Sequence, residues 1–175
     1  MKFNERVSDM QQQVENCEAI CVTQASTLVR NFRVERIALH KKAFEESERD
    51  GRPKGKHRVG SWCPLNLFSR LHNGSLQIYW QLVHRDRHSR SVGYTYLAKK
   101  KSGGYDLRQL LAQAHDFERD LVAEYEEDAE CQRQRWMQLM QVRHHLGRMK
   151  EASTAETALL TRLRAMNGFD RPMMA

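Results

Sequence analysis

The sequence lacks the long apolar run that a membrane-spanning helix requires. No stretch of its 175 residues approaches the roughly 20 consecutive apolar residues that cross a bilayer. The first residues, MKFNERVSDMQQQ, turn polar and acidic at once, which argues against a secretory hydrophobic segment. These absences predict a cytoplasmic protein with no membrane partner. The length fits one domain, or one small domain with long appendages.

Catalytic and metal-binding motifs are also missing from the sequence. It contains no GxGxxG, GxxxxGK[ST], GxSxG or HExxH pattern. Its four cysteines form no CxxC pair, so neither a disulfide framework nor a zinc ribbon is indicated. The cysteines are Cys17, Cys21, Cys63 and Cys131.

The histidines and tyrosines do not form a convincing reactive set. His84 and His88 have irregular spacing and arginine neighbours, so a zinc site that recruits Cys63 or His72 is disfavoured. His115 is expected to be a packed or surface histidine on an apolar helix. No histidine triad accompanies the tyrosines, as a nicking tyrosine would need. We therefore predict no enzymatic activity, no catalytic residue, no metal and no cofactor.

Acidic residues are nearly absent from the centre of the chain. Between Arg49 and Lys101, twelve lysines and arginines face two acids, Asp50 and Asp86, which gives a local balance of +10. The rest of the chain balances at −3, and the total is +7. A concentrated positive field favours a polyanion partner such as DNA. The alternative is a solvated basic surface.

A β-hairpin is the strongest local signal. Asn73-Gly74 lies between apolar runs, and Asn-Gly is preferred in two-residue turns in which both residues need positive φ. The turn fixes a register in which Leu71 faces Leu76, Ser69 faces Ile78, Leu67 faces Trp80, Arg70 faces Gln77 and Phe68 faces Tyr79. The second strand then has an inner row of Leu76, Ile78, Trp80 and Leu82, and an outer row of Gln77, Tyr79, Gln81 and Arg85.

Two long helical patterns flank this hairpin and a third strand expected from Ser91 to Ala98. The first runs from Met1 to about Glu48, and its heptad-like stripe suits packing against another helix of this chain or of a second copy. The second begins after the N-cap Asp106, and about 40 residues of apolar spacing follow. Its acidic run EYEEDAE (124–130) is expected to be a solvated face. A capping box, Ser153-x-x-Glu156, predicts a separate short C-terminal helix.

The predicted fold is therefore α+β. A small three-stranded antiparallel sheet packs on a long helix, with a long N-terminal helix and a short C-terminal helix. The expected organisation is a long N-terminal helix at 1–48, a basic linker at 49–58, a sheet-plus-helix core at 59–130, and a helical extension with the C-terminal helix at 131–175.

The outer sheet face and the basic loops supply the candidate DNA contacts. Arginine and glutamine can reach base edges, lysines can anchor phosphates, and Phe68 with Tyr79 offers a stacking surface. The alternative is that a further helix covers this face. The candidates are Arg52, Lys54, Lys56, Arg58, Arg70, Gln77, Tyr79, Gln81, Arg85, Arg87, Arg90, Lys99, Lys100 and Lys101.

Two resemblances accompany these residues. The order of three strands, basic turn and helix resembles the DNA-binding domains of tyrosine integrases and AP2 proteins. The segments SLQIYWQLV and GYTYLAKKKSGGYDLRQLLAQAHDFERDLVAEYEE resemble the MobI family of conjugative transfer proteins, over Trp62 to Glu130. This second resemblance implies an auxiliary mobilisation factor of the relaxosome. Such a factor acts at the origin of transfer of a plasmid or integrative conjugative element, while a separate relaxase performs the chemistry.

The leading hypothesis is thus a non-enzymatic DNA-binding accessory factor for conjugative DNA transfer. Its expected partners are DNA, a relaxase or other transfer proteins, and a second copy bound through the long helices. The rival hypothesis is a helical protein-interaction adaptor whose basic surface is incidental.

Overall fold

The computed structural model describes residues 3–49, 63–85, 92–100 and 103–166. These residues form an α+β fold with a three-stranded antiparallel sheet and a long N-terminal helix, as predicted. Residues 50–58 of the predicted basic linker lie outside the described residues. In chain order the elements are α1 (Phe3–Arg49), β1 (Leu65–His72), β2 (Ser75–Arg85), β3 (Val92–Tyr96), α2 (Leu107–Leu111), a 3-10 turn (Asp116–Glu118) and α3 (Arg119–Met166).

The hairpin register is confirmed. Asn73 and Gly74 have φ angles of 49° and 70°, the positive values that the two-residue turn demands. All five predicted cross-strand pairs are present, and the strand order is β1-β2-β3. β3 ends at Tyr96 rather than Ala98, although the Leu97 N–H still donates to the Trp80 carbonyl at 3.1 Å.

The chain divides into two compact units. One comprises Ile20–Trp136 and contains the sheet; the other combines Met1–Ala19 with Met137–Ala175. In the second unit, Arg143 pairs with Glu18 at 3.2 Å, and Ser153 Oγ donates to Asn4 Oδ1 at 2.8 Å. The later residue of the N-terminal segment, Glu18, pairs with the earlier residue of the other segment, Arg143. These two helical segments therefore run antiparallel. The N-terminal helix therefore packs on a helix of its own chain.

The core of the sheet unit lies on the inner sheet face. Leu67, Ile78 and Trp80 are fully buried there, as is Phe32 of α1. The Phe32 ring packs in T-shaped geometry with the Trp80 ring at 5.0 Å between centroids and with the Tyr125 ring of α3 at 5.3 Å. Aromatic pairs in this geometry add to the free energy of apolar burial. The sheet, α1 and α3 thus share one core.

The prediction of one continuous helix from Leu107 is wrong, although the predicted start of the helix is confirmed. Asp106 Oδ1 accepts hydrogen bonds from the backbone N–H groups of Arg108 and Gln109, at 3.0 and 3.3 Å. The helix nevertheless ends at Leu111. A new start forms where Glu118 Oε1 accepts from the His115 N–H at 3.0 Å, which satisfies a donor at the beginning of the 3-10 turn.

The separate short C-terminal helix is also wrong, because α3 continues for 48 residues to Met166. A capping box satisfies N–H groups that have no partner, whereas inside a helix these groups already bond to the preceding turn. At 1.5 Å per residue, α3 is about 70 Å long. Among the described helices, none combines the length and apolar character needed to cross a membrane.

Candidate nucleic-acid interface

Three aromatic rings form a continuous row across the outer face of the sheet, one from each strand. Phe68 of β1 stacks on Tyr79 of β2 with centroids 5.9 Å apart and planes 15° apart. Tyr79 in turn meets Tyr96 of β3 at 5.3 Å. We call Phe68, Tyr79 and Tyr96 the aromatic row. It follows from strand alternation, which places these cross-strand neighbours on one face.

Two arginines cover this row. The Arg70 guanidinium lies 5.4 Å from the Tyr79 centroid, and its Nε donates to Gln77 Oε1 at 2.8 Å. The Arg33 guanidinium, from α1, lies 5.0 Å from the Phe68 centroid. Both arginines are exposed, and within the described part of the chain neither is paired with a carboxylate. Their positive charge is therefore available to an external anion.

The outer face is covered on one side and open on the other. Near β1, Arg36 of α1 donates to the Leu65 carbonyl and to Asn66 Oδ1, the latter at 2.7 Å. Burial lowers the pKa of Arg36. At the opposite edge every residue of β3 is exposed, with Tyr96 at 59 %. The outer face is therefore neither wholly exposed nor wholly covered by a helix, since α1 reaches its β1 side and leaves its β3 side exposed.

Tyr79 lies at the centre of the aromatic row and is half-buried. Burial raises the pKa of its hydroxyl, and the neighbouring Tyr96 raises it further. Both effects favour the protonated, neutral form of the hydroxyl.

Gln81 corrects the predicted outer row. It lies on the outer face, but only 4 % of its surface is exposed. In the sheet it stands between Asn66 and Tyr96 of the neighbouring strands. Strand alternation predicts the face of a residue and not the cover above it, so Gln81 is not an available contact in this structure.

The remaining described candidates lie apart from the aromatic row or at its border. Gln77 is half-buried and holds Arg70, whereas Lys100 is exposed beyond the end of β3. The Lys99 ammonium lies 5.8 Å from the Tyr105 ring, and partial burial, together with Arg133, lowers its pKa. Arg85 ends β2, but its side chain lies outside the described residues, as do Arg52, Lys54, Lys56, Arg58, Arg87, Arg90 and Lys101.

A buried polar network holds the inner face and was not expected from the sequence. Glu126 accepts hydrogen bonds from Trp80 Nε1 at 2.7 Å, from Arg133 Nη2 at 2.6 Å and from the Tyr105 N–H at 3.0 Å. The Tyr105 hydroxyl accepts from the Trp80 N–H at 3.0 Å. Glu126 is 4 % exposed, so the expectation that the acidic run is a solvated face is wrong at this residue.

A second unexpected cluster comprises Cys63, His115 and Glu118. Their potential ligand atoms lie within 4.8 Å of one another. Burial, and next the Glu118 carboxylate, raise the pKa of the Cys63 thiol to about 11. His84, which the sequence analysis considered as a zinc ligand, instead has its Nε2 3.0 Å from Thr95 Oγ1. His115 and Glu118 are three residues apart, but sequence spacing gave no indication that Cys63 joins them.

Comparison with known proteins decides the family. A family model described as MobI protein matches residues 22–147, well over half of the chain. The chain belongs to the MobI family. No curated protein and no solved structure matches it significantly. Membership of MobI associates the chain with conjugative mobilisation, and the matched range contains the entire sheet and the aromatic row.

Proposed function

We propose that this MobI protein is a cytoplasmic, non-enzymatic DNA-binding factor that acts at the origin of transfer, where a separate relaxase cleaves the strand. The observation that carries the proposal is the aromatic row under Arg33 and Arg70. Stacked rings beside exposed cations are the combination with which proteins bind the bases and phosphates of single strands.

The geometry favours unpaired bases over an intact duplex. Stacking on an aromatic side chain contributes about 1–3 kcal/mol per base and needs a base whose face is free. Tyr96, at the open edge of the row, offers such a ring at 59 % exposure. Arg33 and Arg70 lie over the rings of Phe68 and Tyr79, where their charges can attract the phosphates of a strand stacked on Tyr96. The excess of lysines and arginines between Arg49 and Lys101 adds a long-range attraction for DNA.

Fluorescence anisotropy with labelled DNA tests this proposal. We expect a single strand from the origin of transfer to bind more tightly than its duplex, with an affinity that falls as salt rises. Heparin serves as a polyanion that has charge but no bases. A protein that binds heparin and DNA of equal charge equally well would contradict the role of the aromatic row.

A second candidate function is supported by apolar residues near the end of α3. A protein-interaction adaptor needs an exposed apolar helix face, because such a face can be buried against a partner helix. The partner would be the relaxase, another transfer protein or a second copy of this chain. The exposed residues are Leu159, Leu160, Leu163 and Met166.

Light scattering and a pull-down from nuclease-treated lysate separate the two functions. An adaptor retains one partner protein from the lysate when nucleic acid is absent. A DNA-binding factor loses its partners under the same treatment.

A further inference from the structure

A cluster of three potential ligands lies where the sheet and α3 begin. Cys63 lies two residues before β1. His115 directly precedes the 3-10 turn that leads into α3, and Glu118 is the last residue of that turn. The thiol, a ring nitrogen and a carboxylate oxygen all lie within 4.8 Å of one another. Three ligand atoms bound to one zinc ion lie about 3–4 Å apart, given bond lengths of about 2.0–2.3 Å. Small side-chain adjustments would therefore bring all three onto one ion.

Glu118 provides an independent sign of a missing partner. Its side chain is fully buried, and its Oε1 accepts the His115 N–H at 3.0 Å. Its Oε2 has no hydrogen-bond partner within the described part of the chain. The neighbouring thiol is only a weak donor. A buried carboxylate oxygen without a partner is costly, whereas a metal ion would satisfy it.

The types of ligand indicate which metal would bind. Thiolate and imidazole select zinc and similar transition metals over magnesium and calcium, which prefer oxygen ligands. Arg36 offsets part of the negative charge of Glu118, but the hydrogen bonds described for it go to Leu65 and Asn66. This nearby cation further disfavours a purely electrostatic ion such as magnesium.

We infer that Cys63, His115 and Glu118 form a binding site for a zinc-class divalent ion. On binding, the Cys63 thiol releases its proton to solvent, and its sulfur forms a bond with the ion. Water completes the fourth position of a tetrahedral site. The ion would link Cys63, two residues before β1, to the start of α3, and so would fix the sheet on the helix that covers it.

Cobalt substitution tests the site on the purified chain. After removal of metals with a chelator, one equivalent of Co²⁺ should produce a thiolate-to-cobalt charge-transfer band, and Zn²⁺ should displace it. Zn²⁺ should also raise the melting temperature, whereas Mg²⁺ should not. Cys63→Ser should abolish the band. Glu118→Gln retains the acceptor for the His115 N–H. It should lower the affinity for Co²⁺ by more than the roughly 10–100-fold that is typical when a residue supporting a metal ligand is changed.

Cys131→Ser is the matched control, because Cys131 is an exposed cysteine outside the cluster. It should keep the full band and the full zinc effect. Circular dichroism of the metal-free variants shows whether each one folds, and His115→Asn is a third variant should Cys63→Ser unfold. A wild-type chain without the band would overturn the inference, as would a band that persists in Cys63→Ser or an affinity unchanged across the ligand variants.

Discussion

An arginine packs over a tyrosine ring on each face of the sheet, but the two arginine–tyrosine pairs differ in burial and in the partner of the arginine. On the inner side, the Arg133 guanidinium lies 5.4 Å from the Tyr105 ring; on the outer side, Arg70 lies 5.4 Å from the Tyr79 ring. Arg133 is 7 % exposed and pairs with the buried Glu126, whereas Arg70 is exposed and bonds to neutral Gln77. Burial and a carboxylate partner thus make one pair a structural element and leave the other available to a ligand.

The largest expected effect comes from removing the arginine on the buried side. Arg133→Met leaves Glu126 buried without its ion-pair partner, so we expect a loss of about 3–5 kcal/mol in the free energy of unfolding. Arg70→Met is the matched change on the open side, and it should alter this free energy by no more than about 0.5 kcal/mol. Urea unfolding of both variants measures the difference. Equal losses would show that the two faces do not differ as described.

The next effect concerns DNA affinity on the open face. Tyr96→Thr removes the exposed ring and keeps a residue favoured in strands, so the fold should be retained. We expect the affinity for single-stranded DNA to fall by about 5- to 150-fold, the equivalent of one lost stacking contact. The control is Val92→Thr, at an exposed position of the same strand that carries no ring. An equal loss in both variants would implicate the strand rather than the aromatic row.

The smallest effect involves a tyrosine on the buried side. The Tyr125 hydroxyl donates a hydrogen bond to Glu35 at 2.7 Å. Burial is the main cause that raises the pKa of Tyr125, and this hydrogen bond is the second. The unfolded chain therefore loses the phenolic proton at lower pH than the folded chain. The contribution of Tyr125 to the free energy of unfolding is therefore fully present below about pH 10 and is lost as pH rises above that value.

Tyr125→Phe measures this contribution. We expect it to cost about 1 kcal/mol at neutral pH, the typical net value of one hydrogen bond. Urea unfolding between neutral and alkaline pH should show the gap between wild type and variant narrowing above about pH 10. A gap that widens there would contradict the raised pKa.

Local signals in the sequence predicted the sheet well. Asn73-Gly74 requires a specific turn, and the turn fixes the register of every pair in the hairpin. The face of Phe68 and Tyr79 then follows from alternation alone. Arg33 was missed as a neighbour of Phe68, because 35 positions separate them and only the packing of α1 brings them together.

Errors arose where tertiary contacts override a local pattern. Apolar spacing continues past Leu111 through Ala114, yet α2 ends at Leu111, and Glu118 caps a new start at His115. A His-x-x-Glu spacing was the available signal for this break. Ser153 matches a capping box but lies inside α3 and bonds to Asn4. Glu126 belongs to an acidic run, and only the position of Trp80 and Arg133 explains its burial.

The central claim is that the open face, and not positive charge in general, binds DNA. The most direct test compares Arg33→Gln plus Arg70→Gln with Arg108→Gln plus Arg135→Gln, which removes the same charge from exposed positions elsewhere. Anisotropy with single-stranded DNA across a range of salt concentrations gives the slope of log affinity against log salt. We expect the first pair to reduce the magnitude of this slope by about 1.4, the value for two lost phosphate contacts, and the second pair to leave it nearly unchanged. Equal slopes in the two double variants would contradict the claim.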